Sequence, residues 1–213
     1  MSAPNLTNDE LTNVVARTLG HYDGRADAFK AGTWDHDVSQ NYDALLRALD
    51  PSVREHARIL DFGCGPGRDL VWFKAHGHEP VGLEGAERFV AMAREASGCE
   101  VWHQSFLALN LPAERFDGIF ANASMFHVPT QELPRVLGEL RAALAPRGVL
   151  FCSNPHGRDA EGWNGERYGA YHTYEAWKAM VESAGFEEIE HFYRPKDKPR
   201  DEQPWLATVW RKK

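Results

Sequence analysis

The sequence lacks an excess of basic residues and any long apolar run. It carries 24 Lys and Arg against 31 Asp and Glu, a net charge of −7, which is the wrong sign for binding phosphate backbones by counterion release. No segment approaches the ~18 to 20 apolar residues that a bilayer span requires. The start, MSAPNLTNDE, has neither the basic nor the apolar region of a signal peptide. We therefore expect no nucleic-acid partner, no membrane association and a cytoplasmic location.

Cysteine is scarce, and close metal-ligand spacings are missing. The three cysteines, Cys64, Cys99 and Cys152, lie far apart in the chain, unlike a zinc ligand set. An odd number of cysteines without a secretion signal indicates reduced thiols. The ten histidines contain no HExxH pair. We expect no metal and no disulfide.

What the sequence does contain is a regular alternation of short apolar runs and helical stretches. The run RILDFG is followed by a helical segment over 68–76 and then by PVGLEG, which predicts a β-α-β unit. The alternation continues to residue 153, and this is typical of a mostly parallel sheet covered on both faces. After it, FEEIEHFYR and PWLATVWR predict an antiparallel hairpin at the sheet edge. The predicted fold class is doubly wound α/β.

Two regions do not follow this alternation. Residues 1–50 read as helices, and we predict that they form a helical lid segment on a main domain of residues 51–213, the whole being one compact domain. Residues 154–172 contain four glycines and three aromatic residues. They are longer than the ~2 to 6 residues usual for connections in α/β units. We predict a functional loop there.

The segment Asp61-Phe-Gly-Cys-Gly-Pro-Gly67 lies where the first predicted strand meets its helix, a position where open α/β sheets bind ligands. Glycines there allow a sharp turn and close approach of a ligand. No Gly-Lys-Ser/Thr follows, which excludes a phosphate loop, and the third glycine of the dinucleotide pattern is replaced by Arg68. A turn needed only for helix-sheet packing is the alternative.

Two acidic residues limit the class of ligand that this turn can bind. Asp61 places negative charge beside the glycines, which would repel a pyrophosphate but suits an ammonium or sulfonium group. Glu84 ends the next strand about twenty residues later, where a carboxylate commonly binds ribose hydroxyls. Adenosine with a cationic tail fits both residues.

The pair DFGCGPG and VGLEG resembles the class I S-adenosylmethionine-dependent methyltransferases. This resemblance implies a Rossmann-like seven-stranded sheet and S-adenosylmethionine as the cofactor. In such a site Asp61 and the backbone at Gly63 and Gly65 would hold the methionine part, and Glu84 the ribose. Many family members have Asp where this chain has Ser105. The other residues that the resemblance implies for cofactor binding are Tyr22, His36, Gln104, Ser105, Phe106, Asn122 and Ala123.

Four segments carry a narrower resemblance, which covers the chain from about His21 onward. GTWDHDVSQN, ANASMFHVP, NPHGRDAEGWNGERYGAYH and HFYRPKDKPRDEQPWLATVWR resemble the C-terminal methyltransferase domain of ovothiol synthases. In that family the domain methylates the imidazole π-nitrogen of 5-thiohistidine to give ovothiol A. The family's iron-dependent sulfoxide synthase region and its metal-binding histidines are missing here, so we expect a free-standing methyltransferase.

A neutral imidazole already offers a lone pair, so such a site must keep the ring neutral and bind its other nitrogen. Proton acceptors or ring-orienting groups are drawn from His36, His127 and His172, and Arg167 is a candidate partner for an amino-acid carboxylate. Predicted catalytic residues are His127, Tyr168 and His172. Predicted substrate-binding residues are Asp37, Asn41, Phe126, Asn154, Glu166, Arg167 and Tyr168. The alternatives are a methyltransferase for another small N, O or S acceptor, and a cofactor-binding module without catalysis. We expect a small amino-acid-derived substrate and no obligate protein partner.

Overall fold

The computed structural model describes residues 5–213. Seven strands form its main sheet, and two further strands form a separate hairpin. The strands are β1 (Arg58–Phe62), β2 (Glu79–Glu84), β3 (Val101–His103), β4 (Phe116–Asn122), β5 (Leu144–Pro155), β6 (Ala160–Asn164), β7 (Arg167–Tyr171), β8 (Phe186–Arg194) and β9 (Trp205–Lys212). The helices are α1 (Asn8–Gly24), α2 (Ala26–Thr33), α3 (Ser39–Ala48), α4 (Arg68–Ala75), α5 (Glu87–Ser97), α6 (Leu133–Ala143) and α7 (Tyr174–Ser183). No helix within residues 5–213 has the length and apolar character needed to cross a membrane.

The main sheet has the strand order β3-β2-β1-β4-β5-β9-β8. Strands β1 to β5 are parallel, whereas β9 runs antiparallel between β5 and β8. Because β8 is antiparallel to β9, it runs parallel to β1–β5, and its carboxyl end lies at the same edge as theirs. The predicted doubly wound seven-stranded sheet with a terminal antiparallel hairpin is confirmed.

Both faces of the sheet are buried, which explains the continuous apolar runs in the sequence. On one face, Leu45 of α3 and Phe73 of α4 pack with Phe120 and Phe151 of the central strands. On the other face, α6 and α7 cover β1, β4 and β5, with Trp177 in the core. The carboxyl edge between these two layers is left for a site.

The N-terminal helices differ in what they cover. Helix α3 buries Tyr42 and Leu45 against the sheet, whereas α1 contacts β7 and α5 beyond the carboxyl edge. Within the predicted lid of residues 1–50, α1 therefore has the position of a cover and α3 belongs to the core layer. The division at residue 50 stays a prediction, and residues 1–4 of that segment lie outside the described part of the chain.

Residues 154–172 are not an irregular loop, so the expected conformation was wrong, while a functional role for the segment stays a prediction. They contain a two-stranded hairpin in which β6 pairs antiparallel with β7, with Trp163 opposite Tyr168. Gly165, with φ +62°, lies in its turn, a backbone conformation that glycine adopts without strain. The high glycine content of this segment concealed the strand pattern. The hairpin extends from the sheet and contacts α1.

Candidate functional site

A cavity of about 610 Å³ opens at the carboxyl edge of the main sheet. Its floor consists of turns that directly follow β1, β2 and β3, and we call Gly63, Gly65, Glu84 and Phe106 the strand-edge wall. Its other boundary comes from α1, the turn after β4, the β6–β7 hairpin and the end of β8. Tyr22, His127, Arg167 and Arg194 are the members of this covering wall. All eight residues line the cavity.

The glycines of the first turn have two different roles. At Gly63, where φ is +80°, an added Cβ would lie 2.5 Å from the Ser124 Cβ. At Gly67, where φ is +93°, it would lie 2.7 Å from the Ala93 Cα of α5. Gly63 lines the cavity and Gly67 does not. Packing therefore requires glycine at both positions, and Gly63 also borders the cavity, where the ligand interpretation applies.

Glu84 is fixed by backbone amides before any ligand binds. Its Oε1 accepts hydrogen bonds from the N–H groups of Gly85 and Ala86, and its Oε2 accepts one from Gly65 at 2.9 Å. Burial raises the pKa of the Glu84 carboxyl, and these backbone hydrogen bonds oppose the rise. A carboxylate has about four acceptor positions, so one position on Oε2 remains for a ligand hydroxyl.

Asp61 lies below the glycine turn and not in the cavity wall. It is 1% exposed, and its Oδ2 is buried with no hydrogen-bond partner. Burial raises the pKa of Asp61 well above its usual range, Asp69 and Glu84 add to the rise, and Arg68 opposes it. Asp61 is therefore a buried acidic group behind the turn, and its contact with the methionine part of the cofactor stays a prediction.

Asp69 is the centre of a buried polar network beside Asp61. Its Oδ1 accepts hydrogen bonds from the Tyr42 hydroxyl at 2.6 Å and from the Arg68 Nε at 2.7 Å. Burial, together with Asp69, raises the pKa of Tyr42. Asn122 donates to the Asp69 Oδ2, and Asn41 donates to the Asn122 Oδ1. Asn41 is fully buried and supports Asn122, and its contact with substrate stays a prediction.

Tyr22 and His127 form a hydrogen-bonded pair in the covering wall. His127 Nδ1 lies 2.7 Å from the Tyr168 carbonyl oxygen, which can only accept a hydrogen bond, so Nδ1 carries the proton. Burial lowers the pKa of His127 to about 4, and the ring is therefore neutral at pH 7. Its Nε2 consequently accepts the hydrogen bond from the Tyr22 hydroxyl, at 2.7 Å. The Tyr22 oxygen is left with acceptor positions only.

Two guanidinium groups complete the covering wall. Arg167, on β7, lies 6.0 Å from the centre of the Tyr22 ring, and it opposes the rise that burial causes in the pKa of Tyr22. Arg194, at the end of β8, donates from Nη2 to the Ser153 Oγ at 3.0 Å. The covering wall is therefore basic, whereas the groups behind the strand-edge wall are acidic.

The cavity brings together most of the residues predicted from the sequence. Those that line it are Tyr22, His36, Asp37, Gly63, Gly65, Glu84, Ser105, Phe106, Asn122, Ala123, Phe126, His127 and Arg167. Those that do not line it are Asn41, Asp61, Gln104, Asn154, Glu166, Tyr168 and His172.

For several of the second group the hydrogen bonds give the reason. Gln104 bonds the backbone of Asn110 on the surface, and the Glu166 side chain, 64% exposed, pairs with Arg17. The Tyr168 hydroxyl donates to Glu161, so only its backbone carbonyl reaches His127.

Asn154 and His172 line a separate cavity of about 10 Å³ next to Trp177. The structure does not bring Gln104, Glu166, the Tyr168 side chain, Asn154 and His172 into the main cavity, and their ligand contacts stay predictions.

Sequence reasoning missed the part of the cavity that distant segments supply. The missed residues include Thr18, Leu19, Phe29, Trp34, Arg68, Asp69, Phe89, Arg194 and Trp205. In α1 and α5 the apolar residues have ordinary helical spacing, so the sequence did not indicate which of them line the cavity and which pack in the core. Arg194 lies in a strand with alternating polarity, which gave no signal of its own.

Within residues 5–213, no group of three or more His, Cys, Asp or Glu side chains could hold a metal ion.

Comparison with known proteins identifies the class. A family model described as "Methyltransferase domain" matches residues 34–191. A trans-aconitate 2-methyltransferase from Variovorax paradoxus is 36% identical over 108 residues, which are 49% of this chain and 41% of that enzyme. The chain thus spans less than half the length of this curated relative.

Solved structures of methyltransferases have the same fold. A methyltransferase from Mesorhizobium loti described as S-adenosylmethionine dependent has a TM-score of 0.65 at 23% identity, covering 78% of this chain and 95% of that one. The 1,6-didemethyltoxoflavin-N1-methyltransferase of Burkholderia thailandensis, with bound S-adenosylhomocysteine, has a TM-score of 0.76 at 18% identity. That alignment covers 100% of this chain and 93% of the other.

The chain belongs to the methyltransferase-domain family, and its cofactor is S-adenosylmethionine. The strand-edge wall fits this cofactor in three respects. Gly63 borders the cavity with backbone alone, Glu84 keeps one acceptor position on Oε2, and Asp61 has an unpartnered buried oxygen near the turn. The predicted methyltransferase class and cofactor are confirmed, while the individual cofactor contacts remain proposals.

Proposed function

We propose that this domain methylates the imidazole π-nitrogen of 5-thiohistidine, giving ovothiol A. The observation that carries the proposal is the Tyr22–His127 pair, which presents an acceptor-only oxygen in a cavity wall. A neutral imidazole has one N–H donor and one bare nitrogen. A ring that donates its N–H to the Tyr22 oxygen leaves the opposite nitrogen with a free lone pair. The pair thus selects the tautomer that N-methylation requires.

The cofactor, when bound, supplies a methyl group on a positively charged sulfur. The residues proposed to hold it are Gly63, Gly65, Glu84, Ser105 and Phe106, with the unpartnered oxygen of Asp61 behind the turn. Alignment of the reacting atoms and exclusion of water are the main tasks of such a site. Phe126 and the α1 helix exclude water on the covering side, where Tyr22 belongs to the cavity wall.

After transfer, the methylated ring carries a positive charge and its remaining N–H becomes acidic. We propose that this proton moves to the Tyr22 oxygen while the Tyr22 hydroxyl proton moves to His127 Nε2. The imidazolium thus formed is disfavoured, because burial lowers the pKa of His127 to about 4. It therefore holds the proton only briefly before releasing it. No bond to the protein forms in this scheme.

A second candidate is O-methylation of a carboxylate on a small metabolite. It is favoured by the identity to a trans-aconitate 2-methyltransferase and by the two guanidinium groups of the covering wall, which attract carboxylates. An ionised carboxylate needs no proton acceptor, so under this candidate Tyr22 and His127 would be dispensable for turnover.

The test is a parallel assay of the purified domain with S-adenosylmethionine and three acceptors: 5-thiohistidine, histidine and trans-aconitate. We expect S-adenosylhomocysteine to form with 5-thiohistidine, and NMR of the product to locate the methyl group on the π-nitrogen. Turnover of trans-aconitate alone would replace the proposal with the second candidate. Calorimetric binding of S-adenosylhomocysteine without turnover of any acceptor would favour a cofactor-binding module.

A further inference from the structure

Arg194 occupies a distinctive position in the cavity. It ends β8, and its Nη2 is held by Ser153 near the end of β5. Strand β5 lies two strands away from β1, with β4 between them. At ~4.8 Å per strand, Ser153 is roughly 10 Å along the sheet from the glycine turn. Arg194 is therefore in the part of the cavity remote from the strand-edge wall.

The donors of Arg194 are largely unused. A guanidinium has five N–H donors, but the Arg194 Nε is buried without any hydrogen-bond partner. Within residues 5–213 no carboxylate lies within 4.0 Å of it.

Arg68 also lines the cavity, but its donors have hydrogen-bond partners within the protein. It donates to both oxygens of Asp69 and to the Thr33 carbonyl. Its side chain is therefore occupied within the protein.

A buried donor without a partner is costly, so the Arg194 Nε is expected to gain a partner when a ligand binds. A carboxylate is the anion whose geometry best matches the planar guanidinium fork, which can offer it two parallel N–H bonds. The Ser153 hydroxyl fixes one edge of the fork, and Arg194 lines the open cavity with its neighbours Pro195 and Trp205. The arrangement is that of an anion site built into the wall.

We infer that Arg194 binds a carboxylate of the methyl acceptor and selects acidic small molecules as substrates. This inference rests on the proposed methyltransferase function of the cavity, but it holds for an amino acid and for an organic acid alike. It replaces Arg167, the residue that the sequence suggested for this role. Arg167 lies beside Tyr22, where it borders the ring-binding end.

The methionine part of the cofactor also carries a carboxylate, and the experiment must separate the two sources. S-adenosylhomocysteine keeps that carboxylate, so its affinity reports on the cofactor alone. We would measure S-adenosylhomocysteine binding by calorimetry, and kcat and KM with 5-thiohistidine and with its decarboxylated amine. The variants are Arg194→Met and Arg194→Lys, with Arg158→Met, an exposed arginine, as the matched control.

For Arg194→Met we expect KM for 5-thiohistidine to rise about 30- to 100-fold. S-adenosylhomocysteine affinity should stay within twofold, and KM for the decarboxylated amine should also stay within twofold. Arg194→Lys should recover part of the loss, and Arg158→Met should match the wild type. An equal rise in KM for both acceptors would overturn the inference. A tenfold loss of S-adenosylhomocysteine affinity would do so too, by assigning Arg194 to the cofactor.

A failure of the proposed function is distinguishable from a failure of this inference. If 5-thiohistidine is not turned over, the same variants are titrated with trans-aconitate after saturation with S-adenosylhomocysteine. Binding to the wild type that falls at least tenfold in Arg194→Met supports the carboxylate site for another acceptor. Equal binding to both proteins, or no binding to the wild type, overturns it.

Discussion

The two walls of the cavity differ in how the chain builds them. The strand-edge wall is made of residues at the end of β2 and in the turns after β1 and β3, and its one carboxylate is fixed by backbone amides. The covering wall gathers single side chains from α1, the turn after β4, β7 and the end of β8. The first wall therefore depends on local conformation, whereas the second depends on tertiary contacts between distant segments.

This contrast predicts different roles for the two walls. Under the proposed cofactor contacts, a turn fixed by glycine conformation would serve any acceptor. Side chains on covering segments can change without disturbing the sheet, and they determine which acceptor is bound. The four predictions below test the contrast from the larger to the smaller expected effect.

Gly63→Ala should damage the strand-edge wall most. The added Cβ would meet the Ser124 Cβ at 2.5 Å in a backbone with φ +80°, and we expect a loss of about 2 to 4 kcal/mol in the free energy of unfolding. Calorimetry should detect no binding of S-adenosylhomocysteine. The matched control is Gly138→Ala inside α6, where a Cβ meets nothing within 4 Å and helix propensity predicts unchanged or higher stability. Normal cofactor affinity in Gly63→Ala would contradict the role of this wall.

Tyr22→Phe should affect the covering wall alone. Loss of the hydroxyl removes the acceptor oxygen between His127 and the cavity, so kcat for 5-thiohistidine should fall about 100-fold. S-adenosylhomocysteine affinity should change less than threefold. Tyr168→Phe is the control, because that hydroxyl bonds Glu161 outside the cavity, and its kcat should stay within threefold of the wild type. Similar kcat values for the two variants would show that the Tyr22–His127 pair takes no part in turnover.

His127 should make the stability of the domain dependent on pH. In the unfolded chain its pKa is about 6.5, and burial lowers the pKa to about 4 in the folded protein. Between these values the unfolded chain binds more protons, so the free energy of unfolding falls as the pH falls. We expect His127 to account for a loss of about 2 kcal/mol between pH 7 and pH 5.

Urea denaturation at both pH values measures this loss. His127→Gln should reduce the difference between the two pH values, while His56→Gln, at an exposed position, should leave it unchanged. An equal pH dependence in the wild type and His127→Gln would mean that the ring is not held neutral.

Glu166→Gln should have the smallest effect. The Arg17–Glu166 pair joins α1 to the hairpin, but both side chains are exposed, and such pairs contribute below about 1 kcal/mol. Denaturation midpoint and kcat should therefore remain close to the wild-type values. A tenfold change in kcat would show that the Arg17–Glu166 ion pair between α1 and the hairpin positions the covering wall for turnover.

The sequence was sufficient for the sheet because apolar runs and helical stretches follow from local patterning. The sequence also predicts that Gly63, Gly65 and Glu84 lie at one site, because the glycine turn and the acidic residue are separated by a short and regular interval. The β6–β7 hairpin was missed because its glycines resemble those of a loop.

Side chains of the covering wall were harder to predict. Tyr168 and Glu166 were chosen for their chemistry, but the direction of a side chain on a strand depends on register, which single residues do not reveal. Arg194 was overlooked because its hydrogen bond to Ser153 joins residues 41 positions apart, which no local pattern reveals.

The anchoring of Glu84 has a consequence for the thermodynamics of binding. Three backbone amides hold this carboxylate in one rotamer, so its conformational entropy is already lost when the chain folds. A ribose hydroxyl that reaches the free position on Oε2 meets a preorganised acceptor and incurs little further ordering cost. Removing this carboxylate should thus weaken the fold and the recognition of the nucleoside together.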